Sequence, residues 1–337
     1  MIEFIFSVDY EIYGNGEGSL RRLVYEPAER LKAVFNKWNA RFVNFVEVAE
    51  LEKIEAYGTD QDINIIKSQI RYFYDEGFEL GLHIHPWWYN ASYRNGRWHI
   101  DYNEYNLCAL PKSRIIHIVD RSIAYFRKVL GVANFTPISF RAGHLLFQPT
   151  RVLSSALAAR GIKVDSSVYK GGLWHQHRLD YRQTLSNGYY WRFTHDVNKP
   201  DPKGILLELP IYTQMVPIWK MFTSKRLTMQ QNRLSAAQAG KKMFNRFKDL
   251  LRFWYPRKFD LGQITMDELV LMVDNIVRED QRDPTVFRPV VVIIHTKDLI
   301  DAGIVESLLS FLKINRITVS NFKNVCDIIE ALDKANN

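Results

Sequence analysis

The chain has 337 residues, 47% of them apolar and 24% charged, with a formal net charge of +8. That balance excludes a disordered or fibrous chain and supplies ample material for a core, in one large domain or two of ordinary size. Two cysteines, Cys108 and Cys326, stand far apart with no metal-type spacing, which excludes a disulfide framework and reads as two buried thiols in a reducing compartment.

The opening MIEFIFSVDYE has no basic n-region, long apolar h-region or small-residue cleavage site, and no uninterrupted apolar run reaches about 18 residues. A cytoplasmic protein without a conventional transmembrane helix is expected. The first strand is predicted over 2–8 and runs into Asp9 and Glu11. Two residues apart at a strand end, these carboxylates point to one face, and their repulsion calls for a cation between them or a proton on one.

A helix over 27–39 leads to a strand over 41–48, and a helix over 61–76 to a strand over 78–85, FELGLHIH. Period two puts the His83 and His85 rings on one side if the strand continues through both, a geometry that suits one divalent ion, and Pro86 then stops the strand. The competing reading is one core histidine bonded to a carbonyl and one exposed histidine. Trp87 and Trp88, beside this polar end, read equally as core or as a platform for a sugar face.

A helix over 112–130 precedes a strand over 137–142 that carries Arg141, whose buried guanidinium needs a carboxylate partner. His144 follows directly. A helix over 149–160, a strand over 162–168 containing Asp165, a loop with Trp174, His175 and His177, and a strand over 205–212 containing Glu208 come next. From 214 to 258 eleven Lys or Arg face one acid, Asp249, a local charge of +10 that leaves the rest of the chain near neutral. Between 235 and 254, Met243, Phe247, Leu250, Leu251 and Trp254 fall on one helical face, with Lys241, Lys242, Arg246, Lys248 and Arg252 on the remainder. Such a helix either packs on the domain or lies among the headgroups of an anionic membrane. The chain closes with a helix over 265–279, the apolar strand 289–296 ending at His295, a helix over 301–313, a strand over 316–321 and a helix over 323–335.

This alternation is that of an α/β protein with a mostly parallel sheet. No GxGxxG turn follows the first strand, which disfavours a dinucleotide fold, while an open doubly wound sheet and a distorted barrel both remain. In either, chemistry collects at the C-terminal strand ends, where Asp9, Glu11, His83, His85, Arg141, His144, Asp165, Glu208 and His295 stand.

In that order SVDYE, GLHIHPWW, FRAGH, LLELPIY and VIIHTKD resemble the polysaccharide deacetylase (NodB-homology, carbohydrate esterase family 4) pattern, over nearly the whole chain outside 214–258. The resemblance implies one domain over 1–337, a distorted (β/α) barrel of about seven strands with a basic helical insertion at 214–258. It implies a hydrolase that removes acetyl groups, N-acetyl foremost, from a sugar of a surface polysaccharide or its lipid-linked precursor. It further implies a divalent metal, most often zinc, held by one carboxylate and two histidines. Carried over by position, Asp9 matches the base, Glu11 the carboxylate ligand, His83 the first histidine ligand, Arg141 the arginine that orients the base, and His295 the general acid. Tyr10 separates two acids that are adjacent in the usual pattern, and Trp87 stands where the second histidine of HxxxH would be, so His85 or His144 completes the triad. Trp87, Trp88, His144 and Trp174 are the candidate substrate contacts. The expected partners are an acetylated glycan or lipid-linked sugar and, through 235–254, the inner face of a membrane. No nucleic-acid motif accompanies the basic stretch. The alternatives are a metal-independent small-amide hydrolase of the same fold and a non-catalytic glycan-binding module; base, ligands and acid occurring together favour the enzyme.

Overall fold

Nine consecutive buried residues, Ile2–Tyr10, form the central strand β1. In the computed structural model, which describes residues 1–185, 189–223, 252–299 and 301–335, every strand expected above is present. They are β2 (Val43–Glu47), β3 (Glu79–Ile84), β4 (Ser139–Ala142), β5 (Val164–Asp165), β7 (Leu206–Glu208), β8 (Arg288–His295) and β9 (Thr318–Ser320), with β6 (Trp191–Phe193) added. The helices are α1 (Glu26–Lys37), α2 (Val48–Tyr57), α3 (Ile63–Asp75), α4 (Lys112–Leu130), α5 (Arg151–Ala158), α6 (Met266–Arg282), α7 (Gly303–Ile314) and α8 (Phe322–Ala335). Helix α2 was not anticipated: it starts on the residue after β2 with no turn between, and the Glu47 side chain caps it by accepting from Ala49 N.

The wall order β7-β5-β4-β3-β2-β1-β8 is parallel throughout, the distorted barrel of about seven strands that the family resemblance implied. β6 adds to β7 antiparallel, and β9 pairs with Glu3–Ile5 of β1 below the point where β2 begins. The two ends of the wall meet through single bridges rather than a full ladder. Ile211 pairs with both Tyr169 and Val291, and Asp260 pairs with Ile293.

Period two sorts the strand residues into two cores. Phe4, Phe6 and Val8 face outward under the helices, where the Phe6 and Phe35 rings meet edge to face at 5.1 Å. Ile5, Val43, Phe45, Val164, Leu207, Val291 and Ile293 fill the interior near the N-terminal strand ends, and Phe322, Val325 and Ile329 of α8 plug that end. One step further up the same inward rows come Ser7, Asp9, Glu47, His83, Arg141 and His295. The barrel floor is therefore dry and its upper layer ionic.

The insertion is framed by an antiparallel ribbon, Thr213–Pro217 against Trp254–Lys258. The amphipathic helix expected over 235–254 lies outside the described residues except at its end, where Trp254 opens a strand instead of closing a helix.

Candidate metal and acid-base site

Parallel register assembles the polar layer. Asp9 is paired with His295, and His83 with Glu47 on one side and Arg141 on the other. Glu11 and His85 continue the inward rows just past the strand ends, and all of these carboxylates, with His83 and His85, are buried.

Arg141 is completely buried, and its partners account for it. Nη1 donates to Asp9 Oδ1 at 2.5 Å, Nη2 to Ser7 Oγ at 2.8 Å and to Ser166 Oγ at 3.2 Å, and Nε to the Ser166 carbonyl at 2.9 Å. The guanidinium also lies 4.2 Å over the Phe45 ring. Burial alone would push the Asp9 carboxyl up, but the Arg141 charge, with His83 and His295, outweighs it and holds Asp9 below the usual carboxylate range.

Glu11 Oε2 lies 3.6 Å from His83 Nε2 and 3.3 Å from His85 Nδ1, while Lys297 Nζ donates to Glu11 Oε1 at 2.6 Å. His83 Nδ1 donates to the Arg141 carbonyl at 2.9 Å, which fixes the tautomer and turns Nε2 toward Glu11. His85 Nδ1 is 2.7 Å from Glu47 Oε2. Burial lowers the His83 imidazolium, yet Asp9 and Glu11 lift it to about 9; burial, with His83 and Lys297 beside it, takes His85 down to about 3. Burial and Glu11 raise Glu47 to about 8, and burial with Glu11 and Glu47 drives Glu50, whose Oε1 accepts from Ile12 N, well above the ordinary range. Asp9 and Glu11, both held ionised, thus lie among Arg141, Lys297 and the His83 imidazolium, while the raised Glu47 and Glu50 carboxyls retain protons.

Glu11, Glu47, His83 and His85 each offer a ligand atom, all within 4.8 Å of one another. A tetrahedral ion about 2.0–2.1 Å from its ligands spaces them roughly 3.3–3.4 Å apart, close to the Glu11–His85 and Glu11–His83 separations. The residues present therefore fit a divalent metal. His144, the other candidate for the triad, stays outside this cluster and joins an aromatic stack instead.

His295 stands between two acids. Nε2 is 3.4 Å from Asp9 Oδ2 and Nδ1 is 3.7 Å from Asp260 Oδ2.

Trp87 and Trp88 are both 0% exposed, which corrects the expectation that they touch substrate. Trp88 packs edge-on against Trp98, and Trp87 lies beneath the stack formed by His144 and Tyr105. Solvent meets this stack at His144, Tyr105, His177 and Trp174, with Tyr105 on His177 at 4.2 Å and Trp174 edge-on to His177 at 4.4 Å. Those rings form the mouth. Gly143 permits it: a Cβ there would lie 2.5 Å from His85 Cδ2 and 2.7 Å from the Ile84 carbonyl.

The sequence reading missed Glu47, Glu50, Asp260 and Lys297. Glu47 carried the same strand-end signal as Asp9 and was legible; Asp260 sits in no strand and offered none.

No protein-family profile and no curated protein matches the chain. Solved structures do. A candidate polysaccharide deacetylase from Mycobacterium smegmatis aligns with 98% of this chain and 91% of its own, at 13% identity and a TM-score of 0.54. The fold is the polysaccharide deacetylase fold. The GH57 branching enzymes of Thermococcus kodakaraensis and Pyrococcus horikoshii share it at 10% and 11% identity, with TM-scores of 0.55 and 0.52, each over 96% of this chain and 70% of theirs. One polysaccharide deacetylase fold thus carries different carbohydrate chemistries, and the site must decide between them.

Proposed function

We propose that the protein is a metal-dependent hydrolase that removes acetyl groups, N-acetyl foremost, from a sugar of a surface polysaccharide or its lipid-linked precursor. The observation that carries this reading is the buried cluster of Glu11, Glu47, His83 and His85 beside an arginine-held Asp9 and a histidine facing it. Glu11, His83 and His85 would hold the ion, with Glu47 bonded to the His85 ring at 2.7 Å. Bound there, a divalent ion, zinc foremost, supplies Lewis acidity toward the acyl carbonyl and lowers the pKa of a water to about 7.

The chain's own residues do the rest. Arg141, itself braced by Ser7, keeps Asp9 ionised and in place, so that Oδ2 accepts the proton of the attacking water. His295, positioned between Asp9 and Asp260, gives a proton to the leaving amine nitrogen as the C–N bond breaks, releasing acetate and the free amino sugar. His144, Tyr105, His177 and Trp174 offer ring faces to the sugar at the mouth.

One observation favours a second reading, a metal-independent amide hydrolase. Lys297 Nζ already sits on Glu11, supplying a cation where the metal would share that carboxylate. Elemental analysis after supply of zinc or cobalt, together with acetate release from acetylated amino-sugar oligomers, separates the two. Metal bound near one equivalent with acetate release that a chelator abolishes is the expected result. Acetate release by metal-free protein supports the second reading, and no release in either state refutes both.

A further inference from the structure

Four large aromatic side chains stand out at the foot of the insertion. Trp219, Phe222, Phe253 and Trp254 are 57%, 52%, 61% and 51% exposed, an unusual cost for residues of this size. Three of them form one patch, since the Ile218 amide bonds the Phe253 carbonyl at 2.9 Å, Trp219 meets Phe253 edge-on at 5.2 Å and Phe253 meets Trp254 at 5.7 Å, and the Phe222 amide ties its residue to the Trp219 carbonyl at 3.1 Å. The patch lies beside a cation, exposed Lys220, and the segment 214–258 to which it belongs carries eleven Lys or Arg against a single acid. Exposed tryptophan and phenylalanine in a cation-rich segment are a composition that membrane interfaces select.

The patch is tied to the mouth of the site. Arg252, next to Phe253, donates to the Gly171 carbonyl at 2.8 Å, and Gly171 begins the hairpin Leu173–Trp174 and Leu179–Asp180. Trp174 on that hairpin lies edge-on to Tyr105 and His144 at 5.9 and 6.1 Å.

We propose that Trp219, Phe222, Phe253 and Trp254 seat the protein on an anionic lipid surface, bringing the mouth at His144 and Trp174 beside the headgroups. That placement would give the site access to a glycan carried on lipid. This use rests on the deacetylase reading, whereas the docking itself does not.

Co-sedimentation of the full chain with phosphatidylcholine vesicles, with and without phosphatidylglycerol, tests it. Binding is expected only with phosphatidylglycerol and is expected to weaken as salt shortens the Debye length from about 10 Å at 0.1 M to about 3 Å at 1 M. The Trp219→Ser/Phe253→Ser variant is expected to lower partitioning at least about tenfold while keeping the wild-type metal content and circular dichroism. Quenching of tryptophan emission by brominated lipid in the unmutated protein gives the same answer without a variant. Equal binding to both vesicles, no binding, or full binding by the folded variant overturns the proposal. A dimer that the same substitutions dissolve would assign the patch to a second copy, and retention on duplex DNA without vesicle binding would assign it to nucleic acid; either result also overturns it. Vesicle binding by an enzymatically silent, metal-free protein would refute the deacetylase reading and leave the docking standing.

Discussion

Arg141 and Asp9, 132 residues apart in the chain, meet inside the barrel at 2.5 Å, both buried. Removing one partner leaves a charge buried and uncompensated. Asp9→Asn and Arg141→Met are each expected to cost about 3–5 kcal/mol of stability, and the double variant to cost less than their sum. Denaturant unfolding of the four proteins measures the coupling. Additive losses would show that the pair contributes nothing as a pair.

The Asp9→Asn chain, where it remains folded, is expected to lose about 10²–10⁴-fold in kcat, because the carboxylate that accepts the water's proton is gone. His295→Gln is expected to fall by a similar factor. Steady-state acetate release from a soluble acetylated amino-sugar oligomer checks both.

His85 and His144 compete for the place of the second histidine ligand, and the cluster geometry favours His85. His83→Ala and His85→Ala are expected to lose bound metal after supply of zinc, while His144→Ala keeps it. Elemental analysis of the three proteins decides. Metal lost from His144→Ala and retained in His85→Ala would reverse the assignment.

Gly143→Ala is expected to damage the site more than the fold, because the added methyl drives against the His85 ring and the Ile84 carbonyl. Metal affinity should fall about 10–100-fold, the scale for disturbing groups that orient a ligand. Competitive metal titration reads the change.

Glu79, at the opposite end of the barrel, accepts from Ser139 Oγ at 3.0 Å and from Lys323 N at 2.8 Å, and burial raises its carboxyl from 4.5 to about 7. The folded chain therefore holds a proton that the unfolded chain has already released. Its contribution is present in full below about 4.5 and is lost as pH rises through 7. Glu79→Gln, which mimics the protonated form, is expected to flatten the decline in stability over that window. Unfolding midpoints measured between pH 5 and 8 would show it, and parallel curves for the two proteins would count against the shift.

Local pattern carried much of the architecture. The apolar runs of β1, β3 and β8 and the helical spacing between them are properties of neighbouring residues, so the strand–helix alternation, a mostly parallel sheet and the residues at strand ends could be read directly, while the choice of a barrel over an open sheet came from the family resemblance. The same logic reached Asp9, Glu11, His83, His85, Arg141 and His295, since a strand's period of two dictates which side chains share a face. Helix α2 escaped because it follows β2 without a turn residue, under a glutamate cap. Tertiary structure alone decided the remainder. Parallel register set Asp9 beside His295 and His83 between Glu47 and Arg141, and the single bridge from Asp260 to Ile293 brought a loop acid to the back of His295. Whether an aromatic is wall or contact surface depends on what covers it, and only the folded chain shows Trp87 sealed beneath the Tyr105 and His144 rings and Trp88 against Trp98. The ionic balance follows the same rule. Lys297 and Glu50 acquire their roles from charges far away in the chain, because a buried site's electrostatics are set by distance in space rather than by separation in sequence.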